Sequence, residues 1–233
     1  MSTNTVRIAT AFLLSCFVSG AVAAADARIG DVPLQLPKPP GYCEMDPVLA
    51  SDAPLIGRLH ATMTKAGNRL LVISADCTEL KDWRNGKRLD LDHMAQYQTI
   101  IELENEPLPH TPEKLVTNYC ANMAIMGDQS TGGSKQDVQE RAEQASGLLK
   151  LNEIKFLGVV AKDPLVCYSG TLQKFRVDTG PETTQVTIIA TSLLKGKVVQ
   201  LYLFAPYTGG KSIAQLLAKQ RINVSQLQRA NRN

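Results

Sequence analysis

The stretch that most limits what this chain can become is Thr184 to Ala205, TQVTIIATSLLKGKVVQLYLFA, two β-rich runs interrupted only by Lys195-Gly196. Strand side chains alternate with period two, so Val186, Ile188 and Ala190 share one face and Thr187, Ile189, Thr191 and Leu193 the other. In the second run Val199, Leu201 and Leu203 oppose Val198, Gln200, Tyr202 and Phe204. Apolar residues on both faces require both to be at least half covered. The pattern predicts a hairpin whose centre offers an easy positive φ at Gly196 only, which leaves turn type and register open.

The N-terminus reads as an export signal. Arg7 is the only charge in the first 25 residues, residues 8 to 18 are apolar, and Ala23-Ala24-Ala25 offers a small-residue cleavage site before Asp26. The expectation is a signal peptide over 1–25 and a single domain over 26–233, with no transmembrane segment after cleavage. Two alternatives compete with cleavage. The charge-free run 8 to 25 could stay as an anchor but is short and Ala-rich for a span. Lipidation at Cys16, in Leu13-Leu14-Ser15-Cys16, is opposed by the bulk of Leu14 and by apolar sequence beyond the cysteine. The remaining chain carries 24 basic and 22 acidic residues, too balanced for a nucleic-acid partner.

Of five cysteines, four follow the leader: Cys43, Cys77, Cys120 and Cys167. An even number in an exported chain predicts two disulfides, and the sequence leaves three connectivities open. The expectation adopted is Cys43 with Cys77 and Cys120 with Cys167, each stabilising by about 4 kcal/mol in the chain-entropy model. There is no C-x-x-C for catalytic thiol exchange.

Residues 28–47 are Pro-rich and read as an extended arm over the surface. Asp52 is placed to cap a helix with Pro54 in its first turn, its stripe formed by Leu55, Ile56, Leu59 and Met63 and its end near Gly67. Arg69 to Ala75 and Tyr97 to Leu103 read as strands, with Asp82 to His93 a charged loop between them. A helix starts at Thr111-Pro112, is broken at Gly127 to Ser134, and is followed by a polar helical run to about Ala145. Four strands then form a meander with turns at Asp163-Pro164, Gly180-Pro181 and Lys195-Gly196, and a helix from Ser212 closes the chain. The fold class is α+β: an antiparallel sheet, its C-terminal part a meander, flanked by helices as in an α/β/α sandwich. This element order, over about residues 29 to 228, resembles the PsbP-like α/β/α sandwich of extracytoplasmic proteins. The resemblance implies a binding or assembly role and assigns no residue.

Each chemical motif has a plainer reading beside it. APYTGGKS, Ala205 to Ser212, follows a strand and precedes a helix as a phosphate loop does. Pro206 removes a backbone donor, however, and no later strand supplies a metal-holding Asp, so the stretch reads as a turn with Ser212 as helix cap. His60, His93 and His110 are scattered, and Asp90, Asp92 and His93 read as a solvated turn rather than an ion site. Glu102, Glu104 and Glu106 would share one exposed strand face. No G-x-S-x-G elbow is present, and neither metal nor cofactor is expected. Trp83, Arg84, Lys87 and Arg88 combine the single Trp with three cations, the residue types enriched at binding hot spots.

These readings favour an exported, non-catalytic periplasmic or envelope protein binding a protein or cell-surface component. A small extracytoplasmic hydrolase and a small-ligand carrier are the alternatives. Convergent Ser, His and carboxylate groups in a cleft would favour the hydrolase, and a large closed apolar cavity the carrier.

Overall fold

The computed structural model describes residues 24–106, 108, 111–129, 149–177 and 182–232. The leader up to residue 23, His110, Ser134 and the rest of the Gly-rich stretch from residue 130, the polar helical run that follows, and the Gly180-Pro181 turn lie outside the described residues. Strands β1 (Ala24–Ile29) and β2 (Val32–Pro37) form a two-stranded ribbon. Next come β3 (Tyr42–Glu44), α1 (Ala53–Lys65), β4 (Asn68–Asp76), α2 (Cys77–Arg84), β5 (Met94–Ile100) and α3 (Pro112–Gln129). The meander is β6 (Leu149–Asp163), β7 (Val166–Val177), β8 (Glu182–Leu194) and β9 (Lys197–Pro206), and α4 (Gly210–Ala230) ends it. Seven strands make one antiparallel sheet in the order β3-β4-β5-β9-β8-β7-β6.

The hairpin at Lys195-Gly196 anchors this sheet. Leu194 pairs with Lys197, so the loop has two residues, and both take left-handed φ values of 48° and 79°. That is the type I′ geometry, whose twist matches that of the flanking strands. Adoption of positive φ by Lys195 as well as Gly196 settles the turn type and register. The face bearing Val186, Ile188, Ala190, Val199, Leu201 and Leu203 is the main core, covered by α4 and by the β1–β2 ribbon. On the opposite face α1 lies on β4 and α3 lies on β6, β7 and β8.

The Pro-rich stretch is therefore not a surface arm. Ile29, Leu34 and Leu36 are at most 1% exposed and belong to the main core. Proline fits because each strand of a two-stranded ribbon has an open edge on which no ladder bond is lost. Gly30 makes the turn at φ 57°, and a side-chain carbon there would meet the Glu104 carbonyl at 2.7 Å. The buried Tyr97 hydroxyl donates to the Pro37 carbonyl at 2.7 Å. Asn231, just past α4, accepts from the Gln35 N–H at 3.0 Å and donates to the Gln35 and Leu227 carbonyls at 2.7 and 2.9 Å. Asn231→Ala would remove both bonds to the part-buried Gln35 backbone of β2 and the bond to Leu227, and should cost about 2 kcal/mol. Urea unfolding checks this, and an unchanged midpoint would contradict the role given to Asn231 as the clamp of the ribbon.

Three local expectations shift. Strand β5 spans residues 94–100 rather than 97–103, because its partner β4 starts at Asn68 and pairing runs out at Asn68↔Ile100. Glu102 then falls in a 3-10 turn, Ile101–Leu103, and Glu104 turns to Arg69 at 2.6 Å, so the three glutamates share no strand face. Asp52 precedes α1 but makes no side-chain cap, its carboxylate being directed into the protein. Ser212 lies inside α4, whose cap is Gly209; its hydroxyl accepts from the Thr208 N–H at 2.9 Å and also bonds the Thr208 hydroxyl.

Both disulfides have the expected pairing. Cys43–Cys77 joins β3 to the first residue of α2, with Cα atoms 4.8 Å apart. Cys120–Cys167 joins α3 to β7 with Cα atoms 5.6 Å apart, inside a small cluster with Val116.

Candidate functional site

Residues 77–84 form α2, so Trp83 and Arg84 sit on a helix and only 85–93 remain a connection. The sequence hides this helix because its residues are mostly polar and its start is set by Asp76, whose Oδ1 accepts from Thr78 N–H at 2.9 Å and Glu79 N–H at 3.1 Å. Of the four proposed recognition residues, three are engaged within the fold. Trp83 packs against the cluster of Met45, Ile56, Ile73, Ala75, Leu80 and Leu91. Arg84 grips the fully buried Asp52 carboxylate through Nε at 3.0 Å and a terminal nitrogen at 2.5 Å. Arg88 reaches Asp92 at 2.6 Å and Glu79 at 3.4 Å. Lys87 is exposed, near Leu89, which is 89% exposed.

A cleft lies across the N-terminal end of α2. Of about 610 Å³, it is lined by Pro39, Pro40 and Tyr42 on one wall, Asp76, Thr78, Glu79 and His93 on a second, and Lys219, Ile222 and Asn223 of α4 on a third, with Leu203 from the sheet. This volume is within the range of small-ligand sites. The Cys43–Cys77 bridge and the bond from Cys77 N–H to the Gly41 carbonyl, 3.0 Å, tie the first two walls together. The Asp76 N–H in turn donates to the His93 carbonyl at 3.0 Å.

Glu79 organises its wall. One carboxylate oxygen accepts the backbone N–H groups of Asp92 and His93, both at 3.0 Å, and the other meets His93 Nδ1 at 2.7 Å. Burial pushes the Glu79 carboxyl up, but the hydrogen bonds from His93, then the charges of His93 and Arg88, more than reverse this and hold it below its ordinary value. An ionised carboxylate only accepts, so Nδ1 carries a proton toward Glu79 and the Nε2 edge of the ring is left facing away from it. Burial, then the nearby Asp76 and Glu79 charges, raises the Tyr42 hydroxyl well above the usual tyrosine range.

The α4 wall offers the opposite chemistry. Lys219 is exposed and makes no ion pair among the described residues. Asn223, one turn further along the helix, is 4% exposed and its Nδ2 has no hydrogen-bond partner among the described residues. Ile222 is 56% exposed at the rim. A buried unpaired amide donor is costly, which makes it a signal of something missing. Sequence reading missed this wall because Lys219, Ile222 and Asn223 look like ordinary residues of an amphipathic helix.

A smaller pocket of about 220 Å³ lies at the β6–β7 turn. There Asp163 accepts from the Tyr168 hydroxyl and from Arg221, both at 3.0 Å, and the set satisfies itself. Ser169, in β7, is buried on the sheet face away from α4, and no described group of three or more His, Cys, Asp or Glu side chains is arranged to hold a metal ion. Among the described residues no helix is long and apolar enough to cross a membrane. No family model, no curated protein and no solved structure matches the chain.

Proposed function

We propose that this is an exported, non-catalytic binding protein of the periplasm or cell envelope, which engages a protein or cell-surface component through the α2–α4 cleft. The observation that carries the reading is Asn223: a buried amide lining an open cleft, with a donor that finds no acceptor among the described residues, beside the exposed apolar Ile222. The two disulfides support an oxidising compartment, and the leader, with Arg7 ahead of an apolar run, and the PsbP-like element order point the same way. A closed carrier cavity is not the form of this site, whose rim residues Lys219 and Ile222 are exposed.

A second reading, the small hydrolase, has one specific observation in its favour, the Glu79–His93 pair with Thr78 in the same cleft. The binding reading is preferred because the serine expected of such a site is not among the lining residues, and the four cysteines after the leader are all in disulfides.

The test is co-purification of the oxidised protein from its own envelope extract, wild type against Ile222→Asp and Lys87→Glu. A partner enriched by wild type and Lys87→Glu but lost with Ile222→Asp is the expected result. Equal capture by Ile222→Asp would remove the cleft from the reading, and loss only with Lys87→Glu would move recognition to the Trp83 side.

A further inference from the structure

The cleft presents two chemically opposed walls, and their pairing points to a class of ligand. On the α2 side the free group is an acceptor, Asp76 Oδ2, since Oδ1 alone receives the two helix N–H groups. On the α4 side are the Lys219 ammonium and the Asn223 amide, one helical turn apart and so neighbours on one face. Between them lie apolar surfaces from Pro39, Pro40, Leu203 and Ile222.

We infer that the cleft binds a short peptide with free termini, its carboxylate shared by Lys219 and Asn223 and its ammonium facing the free Asp76 oxygen. The inference rests on the binding reading above and names the ligand for the same site. An uncapped peptide matches each wall: a carboxylate is an acceptor that answers the unpaired Asn223 Nδ2, and an ammonium is a donor only, matching the acceptor Asp76 Oδ2. The Asn223 amide can turn about its terminal torsion, a broad and roughly two-fold rotor, to present Nδ2 to the cleft. Glu79 does not compete for the ammonium, because His93 and Arg88 already occupy it.

Calorimetric titration of the oxidised protein with the tripeptide Ala-Leu-Ala, its C-terminal amide and its N-acetyl form tests this directly. The free tripeptide should bind, and each blocked form should bind about tenfold more weakly or worse, the loss of one hydrogen-bonded charge contact. Lys219→Ala, an exposed change in α4, should erase the difference between acid and amide while keeping that between amine and acetyl. Binding of acid and amide with equal affinity, or no binding of Ala-Leu-Ala at millimolar concentration, overturns the peptide assignment. If either occurs while Ile222→Asp still abolishes partner capture, the ligand class fails and the binding reading stands; if capture is also indifferent to Ile222, both fail.

Discussion

Replacing Cys43 and Cys77 together with alanine should lower the unfolding free energy by about 4 kcal/mol, the chain entropy that a bridge across 34 residues removes from the unfolded state. The bridge does more than restrict the unfolded chain. Strand β3 is only three residues long and lies at the edge of the sheet, held by its pairing to β4 and by this bond. Tyr42 and Asp76, which it keeps side by side, come from different walls of the cleft. The double variant should therefore lose ligand and partner binding under conditions where it is still folded. Urea unfolding with and without reductant measures the first effect and titration of the folded variant the second. A stability change well under 1 kcal/mol would show that the bridge closes a loop the chain already keeps closed.

Arg84→Ala should cost about 3 kcal/mol at neutral pH, because it abandons a carboxylate with no solvent contact. Asp52 would keep only the Ser51 hydroxyl at 2.7 Å and the Asp46 N–H at 2.9 Å. In the intact protein burial pushes this carboxyl up, but bonds from Arg84, Ser51 and Asp46 and the Arg84 charge outweigh it, and the net shift is downward. A folded-state value below the unfolded one means that Asp52 stabilises the fold above the ordinary carboxylate range, about 4, and that this contribution fades as pH falls through the folded value. In Arg84→Ala burial is opposed by less, the folded value moves up, and protonation relieves the variant. The gap between variant and wild type should thus narrow from pH 7 toward pH 4. Asp52→Asn in the Arg84→Ala background should recover much of the loss. A gap independent of pH would mean that Arg84 acts through packing alone.

This ion pair also marks where sequence reading stops. In sequence Arg84 is one of three cations beside a Trp, a pattern that predicts a recognition residue. What occupies it is a carboxylate 32 positions earlier, a partner that only the packing of α2 beside α1 supplies. Asp52 was equally misread for a local reason: as a residue before a helix it fits a cap, but its side chain serves a long-range bond instead. The Pro-rich arm failed in the same way. Proline argues against a central strand and says nothing about a ribbon laid over a core, and the apolar positions Ile29, Leu34 and Leu36 were outvoted by their neighbours.

By itself the sequence determined the α+β class, the four-strand meander, the helix that closes it and the number of disulfides, because each follows from local periodicity, turn chemistry or counting. The tertiary structure alone decided the sheet order, the burial of the ribbon under Asn231 and the cleft. The physical reason is that a site made of Asp76, His93, Lys219 and Asn223 depends on which surfaces are brought face to face, and no single segment carries that information.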